Sequence, residues 1–211
     1  MTPKKINYQH TAETIIKNLA KRQMKGYYCE TKEDALKLAL SLMPEGSSIS
    51  WGGSMSLFEC GLMDAIKNAS YDIIDRDTAT TPEEIREMSG RICTSDFFLM
   101  STNAITMEGE LVNVDGRANR VSFLCYGPQN VIIIAGMNKV TLDVEDGLKR
   151  ARNIAAPANT VRLERKTPCA VTGKCGNCLS PDCICSQIVV TRRSHIPDRI
   201  KVILVGEELG F

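Results

Sequence analysis

Apolar and polar positions along this chain switch repeatedly between a helical period and short, solid apolar runs. The opening segment, MTPKKINYQHTAETIIKNLAKRQMKG, carries Ile15, Ile16, Leu19 and Met24 at helical spacing and predicts an amphipathic helix. After Gly26 and a short Tyr27–Tyr28 segment comes TKEDALKLALSLMPEG. Thr31 is its N-cap, Ala35, Leu38 and Leu42 form a buried stripe, and Pro44 with Gly46 ends it. SSISW then predicts a strand, Leu57 to Lys67 a helix, and YDIID from Tyr71 a second strand. TPEEIREM opens with Thr81 as N-cap, Pro82 at the first helical position and Glu84 placed to complete a capping box. DFFLMST from Asp96 and NVIIIAG from Asn130 are apolar enough for buried strands, and DVEDGLKRARNIA from Asp143 supplies the next helix. Between those two strands AITMEGELVNV predicts a hairpin, with Glu108–Gly109 at its turn.

Strand and helix signals therefore alternate from about residue 26 to residue 155. That rhythm predicts an α/β fold with a mostly parallel central sheet and helices on both faces. After Pro157 the character changes: a polar stretch, a cysteine cluster at about 167–186, then C-terminal strands at about 187–211. QIVVTRR and RIKVILVGEELGF are expected to pair with each other. No linker interrupts the pattern, so residues 1–211 are expected to form one domain with a cysteine-bearing excursion.

Composition narrows the function classes. With a formal net charge of +1, the chain has no basic footprint for nucleic acid and no acidic tail. The longest strongly apolar run, Val131 to Met137, is far too short to span a bilayer, and the N-terminus lacks a signal-peptide core. No nucleic-acid or membrane partner is expected, and a cytoplasmic location is. Nine cysteines in that reducing compartment argue against a disulfide framework, and their odd number leaves one thiol over.

In a sheet of this kind ligands bind beyond the carboxyl ends of the strands. Three loops of unusual composition fall there. SWGGSMS, Ser50 to Ser56, offers Gly52, Gly53, Ser54 and Ser56 either as an anion cradle or as a tight strand-to-helix turn. NAITMEGELVNVDGRANRV places Asn103, Glu108, Asn113, Asp115, Gly116, Asn119 and Arg120 between two apolar strands, a cluster that one Asp–Gly turn does not explain. GMNKV puts Asn138 and Lys139 at the sheet's edge, where a lysine suits a phosphate or a carboxylate, although a lone loop lysine is more often merely solvated.

GGSMSLFECGL, SDFFLMSTNAITMEGELVNVDGRANRV, YGPQNVIIIAGMNKV and ARNIAAPANTVRL together resemble the LUD domain family associated with lactate utilisation. The resemblance implies a fold like that of the ribose-5-phosphate isomerase and CoA-transferase superfamily. It also implies a small anionic or phosphorylated ligand, with the Gly52–Ser56 loop as its cradle. Asn103, Asn113, Asp115, Asn119 and Arg120 would line the pocket, closed by Asn138 and Lys139. No counterpart of the sugar-isomerase acid/base motif is visible. If the chain is an isomerase or an acyl-transfer enzyme, Asp115, Glu108 and Lys139 are the candidate catalytic groups, with Glu59 a further carboxylate.

Five of the nine cysteines lie in CAVTGKCGNCLSPDCIC. Cys169, Cys175, Cys178 and Cys185 give C-x5-C-x2-C-x6-C, a thiolate set suited to zinc or to an iron–sulfur cluster, with the element left open. A subset of LUD-like proteins carries a similar tail, and the family association implies an iron–sulfur oxidoreductase as partner; the alternative to a ligand-binding role is then that this chain is a non-catalytic subunit of such a redox complex. Cys29, Cys60, Cys93 and Cys125 stand in apolar contexts and read as buried small hydrophobes. His10 and His195 lack the neighbours of a nucleophile–base pair, and Trp51 borders the glycine loop as pocket wall or core.

Overall fold

The structure, a computed structural model, describes residues 2–211. In chain order its elements begin with α1 (Pro3–Lys21), β1 (Lys25–Cys29), α2 (Lys32–Ser41), β2 (Ser48–Trp51), α3 (Met55–Glu59) and α4 (Leu62–Lys67). Next come β3 (Asp72–Ile73), α5 (Pro82–Cys93), β4 (Phe97–Met100), β5 (Ala104–Thr106), β6 (Leu111–Asp115) and α6 (Asn119–Cys125). The last third holds β7 (Asn130–Gly136), β8 (Val140–Thr141), α7 (Val144–Arg150), α8 (Ala156–Arg162), α9 (Pro168–Thr172), β9 (Gln187–Thr191) and β10 (Ile200–Val205).

Six strands form an all-parallel sheet in the order β1-β10-β7-β4-β2-β3. Its central strands β7 and β4 are almost wholly apolar because both faces are covered. Alternation sends Val131, Ile133 and Ala135 of β7, with Phe98 and Met100 of β4, against α1, α5 and α6. Ile132 and Ile134, with Phe97 and Leu99, face the opposite way onto α2, α3 and α4. The expected α/β fold is what these two apolar clusters build. A second, four-stranded sheet, β8-β5-β6-β9, carries the predicted hairpin: β5 and β6 are antiparallel, with Gly109 in the left-handed region at the turn (φ 86°).

Three expectations need correcting. The C-terminal strands do not pair with each other. β9 runs antiparallel to β6 at the edge of the small sheet, whereas β10 lies between β1 and β7 in the large one. The division follows their chemistry: Gln187 to Thr191 is half exposed and suits an edge, while Ile200 to Val205 is apolar toward both faces and needs a central place. The helix expected over Leu57 to Lys67 is broken at Gly61 (φ 75°) into α3 and α4. Pro157 does not end the helical run that begins at Val144; a π-helical turn at Ala151–Ala155 precedes it and α8 continues to Arg162. Proline lacks an N–H and crowds the carbonyl one turn back, and the wider turn relieves both demands.

Local signals were otherwise obeyed. Thr81 and Glu84 make the reciprocal capping box that starts α5, and Thr31 caps α2. All nine cysteines are free thiols. Cys29 and Cys60 are buried as expected, but Cys93 is only half-buried and Cys125 is exposed on the outer turn of α6. None of the described helices is long and apolar enough to cross a membrane.

Candidate functional site

The carboxyl ends of β2, β4 and β7, adjacent strands of the large sheet, open onto a cavity of about 580 Å³. Trp51, Gly53 and Ser54 reach it from the loop after β2, Ser101 to Asn103 from the end of β4, and Lys139 from the turn after β7. The small sheet supplies the facing wall through Val114, Asp115 and Gly116, and α5, α8 and the start of α6 complete the rim. Trp51 both packs in the core and walls the cavity.

Lys139 is the most unusual group in the wall. It is 3% exposed, and its Nζ lies 2.9 Å from Ser56 Oγ and 2.9 Å from Ser101 Oγ. Burial, then the Arg150 and Arg120 guanidinium groups, push its ammonium down to about 7, against the smaller opposing pull of Glu59. A solvated loop lysine is therefore not what this residue is. Arg150, itself buried, donates from Nε to the carbonyl of Asn138 at 2.9 Å and from its guanidinium to the carbonyl of Asn103, pinning the loops that flank Lys139.

Asp115 and Arg120 reach the cavity, yet their polar atoms are bound within the chain. Arg120 donates to the carbonyls of Ser101 (3.0 Å) and Val114 (2.8 Å) and to the amide oxygens of Asn113 (2.6 Å) and Asn103 (3.1 Å). Asp115 accepts from the backbone N–H groups of Arg117, Ala118 and Val121 and lies 3.7 Å from Arg120 Nε. It thereby holds Ala118 in the left-handed region (φ 62°) at the start of α6.

The remaining predicted site residues divide between cavity and frame. Gly53, Ser54, Asn103, Gly116 and Asn119 line the cavity. Gly52 instead makes room for Arg120: a Cβ there would stand 2.8 Å from Arg120 Cγ. Ser56 is fully buried beneath Lys139, and Asn113 is buried under Arg120 with its Nδ2 unpartnered. Asn138 turns away and binds the backbone of Leu209 and Gly210, while Glu59 accepts from the Gly210 N–H at 2.7 Å. Glu108 is corrected outright: it is exposed at the hairpin turn beside Arg22 and does not line the cavity.

Sequence reasoning missed Ser101 and the arginines Arg76, Arg117, Arg162 and Arg165, all of which line the cavity. Ser101 had a usable signal, since it directly follows the solid apolar run of β4. Arg162 and Arg165 had none, because their place depends on α8 continuing past Pro157.

The five clustered cysteines gather around a second cavity of about 160 Å³. Hydroxyls of Thr167 (3.3 Å) and Thr160 (3.6 Å) lie on Cys169 Sγ. Backbone N–H groups donate to Cys175 Sγ (from Asn177, 3.4 Å) and to Cys183 Sγ (from Cys185, 3.3 Å). Burial, then Cys183, Cys175 and Cys169, push the Cys185 thiol up to about 12. Soft donors with N–H and O–H groups on sulfur have the chemistry of a thiolate metal site. The geometry is not closed: among the described residues, no three His, Cys, Asp or Glu side chains converge on a common metal position. Ile184 lines both cavities, and its Cα lies 3.3 Å from where a Gly116 Cβ would stand, so the cysteine loop is also a wall of the larger site.

This combination of a parallel sheet, a small antiparallel sheet and a cavity at the carboxyl edge has a known family. The LUD domain matches residues 12–205, and the chain belongs to that family. A crystal structure of a DUF162 family protein from Deinococcus radiodurans shares the fold, with a TM-score of 0.53 at 14% identity over 95% of this chain and 98% of that one. None of the curated proteins matches the chain.

Proposed function

We propose that this LUD domain acts in organic-acid utilisation, of which lactate is the family's namesake, by binding an anionic or phosphorylated small molecule in the large cavity. The observation that carries the reading is charge. Arg76, Arg117, Arg120, Arg162 and Arg165 line the cavity against only Asp77 and Asp115 among the described residues, on a chain whose net charge is +1. With Arg120 and Lys139 engaged internally, the exposed Arg117, Arg162 and Arg165 are the groups that meet a ligand from solvent, although Arg162 Nε donates to Asn159 (2.9 Å) and Arg165 lies 3.8 Å from Asp182. Guanidinium groups pair with carboxylate and phosphate in two-point contacts, and a concave site concentrates their field. At about 580 Å³ the cavity has the size of common small-molecule sites and exceeds what a three-carbon acid fills, which favours a larger, multiply charged ligand.

The test is calorimetric titration with inorganic pyrophosphate, compared between the natural chain and the Arg117→Glu/Arg162→Glu variant. Both arginines are exposed, so the fold is expected to survive. Affinity should fall by about tenfold or more, equivalent to about 1.4 kcal/mol. Equal affinity in the two proteins would remove the reading.

A second reading is favoured by the five thiols that share one cavity. The loop would close on zinc or on an iron–sulfur cluster through Cys169, Cys175, Cys178 and Cys185. With a cluster in place the chain would serve as a subunit of an iron–sulfur redox complex.

A further inference from the structure

We propose that Ser101 and Lys139 form a nucleophile–base pair that transfers the acyl group of an ester or thioester with an anionic tail to water. The proposal rests on the reading of the cavity as an anion site, and adds a reaction to it.

Hydrogen-bond geometry gives the two serines beside Lys139 different parts. Ser56 is fully buried, away from the cavity, and its hydroxyl donates to the carbonyl of Leu209 at 3.2 Å. Its oxygen is then left to accept from Lys139 Nζ, which it orients. Ser101 stands on the cavity wall. Among the described residues its hydroxyl has one acceptor, the Thr102 carbonyl at 3.4 Å, longer than the 2.9 Å to Lys139 Nζ. Lys139 Nζ donates to both serines as an ammonium; once neutral, it keeps an N–H for Ser56 and turns a lone pair toward the Ser101 hydroxyl. Burial first, then the cationic neighbours Arg150 and Arg120, favours the neutral form against the opposing carboxylate of Glu59. Arg120 also donates to the Ser101 carbonyl, fixing the backbone of the nucleophile. A nucleophile within hydrogen-bond reach of a base that a third group orients is the general form of activated-serine catalysis, and lysine serves as that base in known variants.

The step balances without a further reagent. Ser101 Oγ bonds to the acyl carbon as its proton passes to Lys139 Nζ. The bond from that carbon to the alkoxide or thiolate breaks, and the leaving group takes the proton from Lys139. Water then attacks the acyl-serine, giving a proton to Lys139. Release of the carboxylic acid returns that proton to Ser101. Charge developing on the carbonyl oxygen falls in the field of the cavity's arginines.

The experiment exposes the full chain to a fluorophosphonate and, separately, to p-nitrophenyl hemisuccinate, with intact-mass measurement and peptide mapping. A single adduct on Ser101 is expected, forming faster as pH rises through about 7, as Lys139 loses its proton. Ser101→Ala should give no adduct. Lys139→Met, or Lys139→Arg if the first does not fold, should slow labelling by about 100-fold or more. Ser56→Ala should shift the pH midpoint, which a merely structural serine would not. An adduct elsewhere, labelling indifferent to Lys139, or no adduct from either probe overturns the proposal. Pyrophosphate separates the two readings. If it binds while Ser101 stays unlabelled, only the acyl-transfer step falls. If Ser101 is labelled and pyrophosphate neither binds nor protects, the anion reading falls.

Discussion

Asp115 shows how a residue can look like a ligand group in the sequence and be a brace in the fold. Its carboxylate accepts three backbone N–H groups and faces the buried Arg120 guanidinium. Asp115→Ala removes those acceptors, leaves Arg120 without its counter-charge and releases the left-handed Ala118. Breaking one partner of a buried ion pair costs about 3–5 kcal/mol. Urea unfolding of Asp115→Ala should show a loss of that order, with Asp115→Asn intermediate because it keeps one acceptor. A loss below about 1 kcal/mol would return Asp115 to the ligand-binding groups. Asn113 and Gly52 belong to the same bracing around Arg120, and a list of polar loop residues carries no mark that separates brace from binder. Lys139 went the other way: its burial between two serines comes from three segments that only the sheet brings together.

Among the elements, those set by neighbours in the chain were legible. The capping box of α5, the N-cap of α2 and the hairpin turn at Gly109 follow from hydrogen bonds made within a few residues. The errors arose where packing overrode a local preference. Leu57 to Lys67 has helical periodicity throughout, but the chain bends at Gly61 so that Leu57 of α3 and Leu62 and Ile66 of α4 all reach one apolar cluster. Gly61→Ala discriminates the two descriptions by sign. In a continuous helix alanine would stabilise by about 1 kcal/mol. In the left-handed conformation it should destabilise by about 1–2 kcal/mol. The nearest atom to the new Cβ would be Leu36 Cδ2 at 3.8 Å, so no clash contributes, and thermal unfolding reads the sign directly.

For the whole molecule, the arrangement joins two cavities through one loop. The cysteine segment packs against Gly116 through Ile184, so whatever orders that segment also sets a wall of the larger site. Elemental analysis of protein purified without oxygen or chelators is expected to find zinc, or iron with sulfide. The metal should be lost in the Cys175→Ser/Cys178→Ser variant. Retained metal in that variant would place it elsewhere, and metal-free natural protein would sink the thiolate reading. A structural metal held by such a segment contributes folding energy, so the double variant should also unfold at lower temperature.

By itself the sequence determined the layer architecture, because uninterrupted apolar strands between amphipathic helices have few other ways to bury both faces of a sheet. It also marked three of the segments that reach the carboxyl edge, and the ordered motifs of the LUD family. Tertiary structure alone decided that β10 enters the sheet between β1 and β7 while β9 joins the smaller one. It alone decided that α8 carries Arg162 to the cavity, and that Lys139 meets Ser56 and Ser101 at residue separations of 83 and 38. Periodicity and capping act over one or two turns of chain. Contacts across such separations depend on how whole elements pack, and a burial-driven fall in a lysine's proton affinity exists only once they have.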